Sequence, residues 1–154
     1  VYNMFETYKI MKWLDRLDLK REVAFWPIII DQPLHLRATV IPYHIRDKAK
    51  ELYRDFYDYT SYNNQYLDLH GAANKIISYL ESDWEAHGSY GKYCQGVEQT
   101  EENQRYMFYQ YTDFMDKVRG HSFFDTFLQF AELKEEYMDS LTKRLETPNW
   151  WIDD

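Results

Sequence analysis

Five histidines and a single cysteine are the side chains of this 154-residue chain best suited to metal or nucleophilic chemistry, and their spacing excludes most of it. A di-iron carboxylate bundle needs Glu-x-x-His, because a carboxylate and an imidazole at i and i+3 share one helix face. The residues three before His35, His44, His70, His87 and His121 are Gln32, Ile41, Leu67, Trp84 and Val118, so none qualifies. H-E-x-x-H, a Walker loop and G-x-G-x-x-G are also absent. The lone Cys94 excludes an intramolecular disulfide, and any zinc or iron–sulfur site built on two or more thiolates of this chain. His87 and Cys94 are the one mixed pair of candidate metal ligands in a single segment; two ligands without partners nearby are weak evidence for a metal, and a loop histidine beside an incidental thiol is the simpler account. As a nucleophile Cys94 would need a base and an oxyanion hole, and neither has a signature here. Catalytic residues are therefore not assigned.

Asp31, His35 and Arg37 form a different candidate. They cluster where a strand is predicted to end, and in α/β folds ligands bind at strand ends and in the loops that follow. These three are the candidate contacts to a substrate or partner. Asp116 and Arg119, at i and i+3 on a predicted helix, read as an ion pair worth a few tenths of a kcal/mol.

Charge narrows the partners. With 18 Lys and Arg against 26 Asp and Glu the formal charge is −8. Aromatics reach 19%, and interleaved aromatic rings stack bases in single-strand binders. Nucleic-acid affinity depends on neutralising phosphates, however, and an acidic chain without a Lys/Arg run repels them. The tyrosines are read instead as filling helix contacts with the hydroxyl at the rim. No signal-peptide pattern and no apolar run of about 18 residues is present, so the expectation is a cytoplasmic chain without a membrane partner.

The elements that must position these residues follow from periodicity. Phe5, Tyr8, Ile10, Trp13, Leu14 and Leu17 predict a helix over Tyr2 to Leu17. Val23 to Ile30 is apolar and β-branched and predicts a buried strand, with Pro27 at an edge or bulge. Leu36 to Ile41 is the second predicted strand, and Pro42 suits the first turn of the next helix. There Ile45, Ala49, Leu52, Phe56 and Tyr59 form the apolar face, with Arg46, Lys48, Lys50 and Arg54 on the wet face. Leu69, Ala73, Ile76, Ile77 and Leu80 mark another helix. Residues 81–104 read as a solvated insertion with three glycines. Phe108, Tyr111, Met115 and Val118 resume a helical face that Gly120 ends, and Ser122 caps its successor with Asp125 in the manner of a capping box. A helical face then continues to Leu145 with a break near Leu128, and Pro148 stops it before the 148–154 tail.

The fold class is thus α+β and predominantly helical, with five to six helices and one short strand pair near the N-terminus. Its parts are a helix and strands over 1–41, a helical region over 42–147 and the tail, forming a single domain or a C-terminal fragment. Domains of about this length bury a sufficient core without staples.

Two stretches resemble the C-terminal part of radical SAM proteins that carry a twitch-type domain. In Pro33 to Arg46, Leu36, Ile41-Pro42 and Ile45-Arg46 hold the places of that family's aliphatic residue, Leu-Pro pair and Ile-Lys helix start. Phe108 to Phe127 is similar to its closing signature of Tyr-Thr, an apolar-Asp pair, an Arg three on and a Phe-rich turn. The chain departs from it at Phe127-Leu128-Gln129-Phe130, where the family has Phe-Pro-Glu-Leu, and in the 81–104 insertion. The resemblance implies the end of a partial α/β barrel with a helical cap. It also implies a parent enzyme that uses SAM and a 4Fe-4S cluster held by Cys-x-x-x-Cys-x-x-Cys. One cysteine cannot supply that loop. The cluster and the cofactor would belong to an upstream part, an expectation that the initial Val1 supports.

Two functions follow. In the first, the chain positions substrate or partner as the C-terminal segment of a radical SAM iron–sulfur enzyme, its partner being the upstream part of that enzyme. In the second, it is a standalone noncatalytic acidic helical module that binds another protein.

Overall fold

The computed structural model describes residues 3–17, 25, 27, 34–59, 68–83, 93–94, 97–98 and 100–142. The chain divides into two compact units, Val1–Asp83 and Trp84–Asp154. Among the described residues it is predominantly helical, with six α-helices.

The first unit contains α1 (Thr7–Asp15), α2 (Tyr43–Tyr59) and α3 (Leu69–Glu81). α1 is shorter than its predicted span, because residues 3–6 form a turn in which Asn3 O accepts from Glu6 N and Thr7 N at 3.1 Å. Met4, Phe5 and Met11 are buried, and Tyr53 of α2 donates its hydroxyl to Met4 O at 2.9 Å. Burial pushes the Tyr53 phenol up to about 12, so it remains a hydrogen-bond donor at neutral pH. Tyr8 meets the edge of the same ring at a centroid distance of 6.4 Å.

α2 and α3 pack against each other. Their contact face is turned from the predicted one. Ile45, Ala49, Tyr53 and Phe56 are buried, whereas Leu52 is half-buried and Tyr59 is 72% exposed. On α3 the buried set is Leu69, Ala72, Ala73, Tyr79 and Leu80, with Ile76 and Ile77 half-buried. Small residues at 49, 72 and 73 allow close helix approach, and Tyr53, anchored on Met4 O, lies on the inward side of α2. Asp68 caps α3 by accepting from Gly71 N at 2.7 Å. A Cβ at Gly71 would stand 2.2 Å from Asp68 Oδ2, so a larger residue there would make the capping carboxylate shift.

The predicted strand over Leu36–Ile41 is not a strand. Leu34–Leu36 and Ala38–Val40 are 3-10 turns. The backbone is satisfied locally, with Ile41 N donating to Ala38 O at 3.0 Å, and by Tyr79, whose hydroxyl accepts from Ala38 N at 3.2 Å. Consecutive residues from Arg37 to Ile41 are all buried, which the two-sided alternation of a half-buried strand does not allow. Of the other predicted strand, Val23 to Ile30, only Phe25 and Pro27 are described, and neither is in a strand. The strand pair expected near the N-terminus is therefore not found among the described residues. Their one ladder lies in the predicted insertion, where β1 (Tyr93–Cys94) and β2 (Val97–Glu98) pair antiparallel.

In the second unit α4 (Glu101–Arg119) starts within that insertion, capped by Thr100 Oγ1, which accepts from Asn103 N at 3.1 Å. Gly120 ends it with φ 72°, in the left-handed region that favours glycine. Ser122 caps α5 (Phe123–Thr126) by accepting from Asp125 N at 3.3 Å. The expected break at Leu128 is a 3-10 helix, Leu128–Leu133, which leads into α6 (Lys134–Thr142). Phe123 is the centre of the core, its ring centroid 5.0–5.7 Å from those of Phe108, Phe124, Phe127 and Phe130. Asp116 does not pair with Arg119 as expected. Its Oδ2 accepts from Phe123 N at 2.8 Å instead, tying the end of α4 to the start of α5.

Candidate functional site

The two described members of the predicted triad are buried. His35 and Arg37 lie in the 3-10 segment, 2% and 1% exposed, and Asp31 lies outside the described residues. Burial lowers the His35 pKa to about 4, so the imidazole is neutral at pH 7. Thr39 is fully buried in the same segment. A solvent-borne substrate would have no access to these side chains.

Two cations read from sequence as part of the wet face of α2 are buried as well. Arg46 donates from Nε to Ile41 O at 2.9 Å and from Nη1 to Leu80 O and Ser82 O, both at 2.8 Å. It thereby satisfies carbonyls at the C-terminus of α3, where a cation also complements the helix dipole. Lys50 pairs with Asp47, donates to Tyr43 Oη at 3.1 Å and lies 3.6 Å from Glu81. Its hydrogen bonds to Asp47 and Tyr43 hold the ammonium above its ordinary pKa. Arg54 bridges Glu51 and Glu81, each at 2.7 Å. These cations tie α2 to the end of α3, and no periodicity rule distinguishes such a cation from one on a solvated face.

In the second unit Arg105 binds Glu136 at 2.7 Å and Glu101 at 3.0 Å, joining α4 to α6. Tyr137 donates to Asp113 at 3.3 Å. Burial raises the pKa of Tyr109 and that of Tyr137, the latter to about 12, so both phenols stay protonated at neutral pH. This is an inter-helix tie.

Among the described residues no group of three His, Cys, Asp or Glu side chains converges as metal ligands. His87 and the side chain of Cys94 lie outside the described residues. No described helix is long and apolar enough to cross a membrane.

What the first unit presents outward is a helix face. Trp13 is 60% exposed and Ile10 52%, on the side of α1 opposite the buried Met11. At about 3.6 residues per turn, Lys9 and Arg16, both exposed, border Trp13 on one side and Ile10 lies on the other. Periodicity assigned Ile10 and Trp13 to the core. Of the predicted apolar set Phe5 is buried, together with Met4 and Met11, while Ile10 and Trp13 stay outside.

Comparison with family models, with curated proteins and with solved structures gives no match.

Proposed function

We propose that this chain is a noncatalytic helical module, acidic overall, that contacts a protein partner through the outer face of α1. The observation that carries this reading is the pair Ile10 and Trp13, exposed side by side on a helix whose inner face is anchored to α2. An exposed indole on a firmly held helix is the kind of anchor that dominates binding energy when a partner's pocket desolvates it. Of the side chains that most resemble a site, the described pair His35 and Arg37 is buried inside the fold, which supports surface recognition as the activity.

The resemblance of residues 33–46 and 108–127 to twitch-containing radical SAM proteins supports a narrower form, in which the partner is the upstream part of such an enzyme. SAM and the 4Fe-4S cluster would then be held by that part, because one cysteine does not fit a three-thiolate loop. This chain would position substrate or partner, in the cytoplasm, and no step of radical chemistry is assigned to its residues.

The test places a photo-crosslinking amino acid at position 13 and, as a control, at the exposed position 74 of α3. The expected result is a discrete adduct from position 13 alone, with the purified adduct partner binding wild type and losing affinity for Trp13→Ala. Equal adducts from both positions refute the reading. An adduct partner with a Cys-x-x-x-Cys-x-x-Cys loop selects the narrower form, as does such a loop encoded in frame before Val1.

A further inference from the structure

Resting on the proposed role of the α1 face, we infer that the partner surface it takes is apolar and flanked by carboxylates. The stripe on α1 is cationic although the chain is not. Lys9 and Arg16 lie beside Trp13, and Lys12 stands at the edge of the face with Nζ 5.1 Å from the Tyr8 ring centroid. The carboxylate on this side, Glu6, is engaged by Lys9 at 2.6 Å. Asp15 falls on the opposite side of the helix by its spacing from Trp13. Three cations against one engaged carboxylate contrast with a total charge of −8. At physiological ionic strength the Debye length is about 8 Å, so a surface seated on α1 feels these neighbours and little of the remaining charge. An acidic rim facing Lys9 and Arg16, with apolar side chains meeting Trp13 and Ile10, is complementary in both respects. A basic rim would bring like charges together.

The experiment uses the full chain and two fluorescein-labelled helical peptides of identical Leu/Phe stripe, one flanked by glutamates and one by lysines, read by anisotropy. The acidic peptide is expected to bind about tenfold tighter at about 50 mM salt. That preference is expected to shrink at about 300 mM salt and to fall about fivefold in Arg16→Glu. Equal affinity for the two peptides overturns the acidic partner while leaving recognition by the apolar face intact. Saturable binding of neither peptide overturns both. A blue-shifted tryptophan emission with phosphatidylserine vesicles, lost in Trp13→Phe and accompanied by no peptide binding, assigns the face to an anionic membrane and overturns the inference.

Discussion

Arg46 is the residue whose removal the structure predicts to be most damaging relative to its appearance in the sequence. Its guanidinium serves Ile41 O, Leu80 O and Ser82 O. Ile41 and Leu80 are buried, so truncation to alanine leaves two carbonyls in dry surroundings, while Ser82 is half-buried and regains water. A buried polar group left unsatisfied costs about 1–3 kcal/mol, so two such groups cost about 4 kcal/mol. Water entering the vacated space offsets part of this, and Arg46→Ala should lose about 3 kcal/mol. That is a large share of the roughly 5–15 kcal/mol of a typical domain. Urea unfolding followed by far-ultraviolet circular dichroism measures it. The control is Arg54→Ala, whose ion pairs with Glu51 and Glu81 are solvent-exposed and contribute little. Arg46→Lys should recover only part of the loss, because an ammonium cannot span all three carbonyls. If Arg46→Ala costs no more than Arg54→Ala, the idea that Arg46 closes the end of α3 is wrong.

Three further outcomes are expected. The His35 pKa is about 4 in the fold against an ordinary 6.5, so between these values the unfolded chain binds the extra proton. Stability is full above about pH 6.5 and declines by on the order of 3 kcal/mol as pH falls to 4, and His35→Gln should flatten that slope in a pH series of urea midpoints. Asp68→Ala should cost about 1 kcal/mol by removing the α3 cap, whereas Gly71→Ala should cost less, because the crowded Asp68 carboxylate is a flexible side-chain end that can shift and alanine favours the helix; equal losses in thermal unfolding would contradict this. The Thr39 hydroxyl is buried with no hydrogen-bond partner among the described residues, so Thr39→Val should be neutral or stabilising by about 1 kcal/mol, and a loss above about 1 kcal/mol would reveal a hidden partner.

Helix existence and helix punctuation were legible in the residues. Ser122 and Gly120 act within one turn of backbone, so their types specify a cap and a left-handed stop whatever surrounds them, whereas the caps at Asp68 and Thr100, local in the same way, were not read because the segments before them carry no apolar period. The break at Leu128 is local in the same sense. Cysteine count and motif spacing likewise excluded a multi-thiolate site without reference to any fold. Which face of a helix turns inward was not legible. Ile10 and Trp13 belong to the apolar set that predicts α1, yet packing buries Met4, Phe5 and Met11 and leaves those two outside. Arg46 and Lys50 repeat with the spacing of a wet face, yet the end of α3 supplies carbonyls and a carboxylate that draw them under cover. Leu36 to Ile41 has the composition of a strand, but Tyr79 from α3 takes the Ala38 amide and the chain tightens into 3-10 turns. Caps and breaks are decided by neighbours in sequence, whereas burial of a stripe, a cation or an amide depends on partners that only the folded chain brings near.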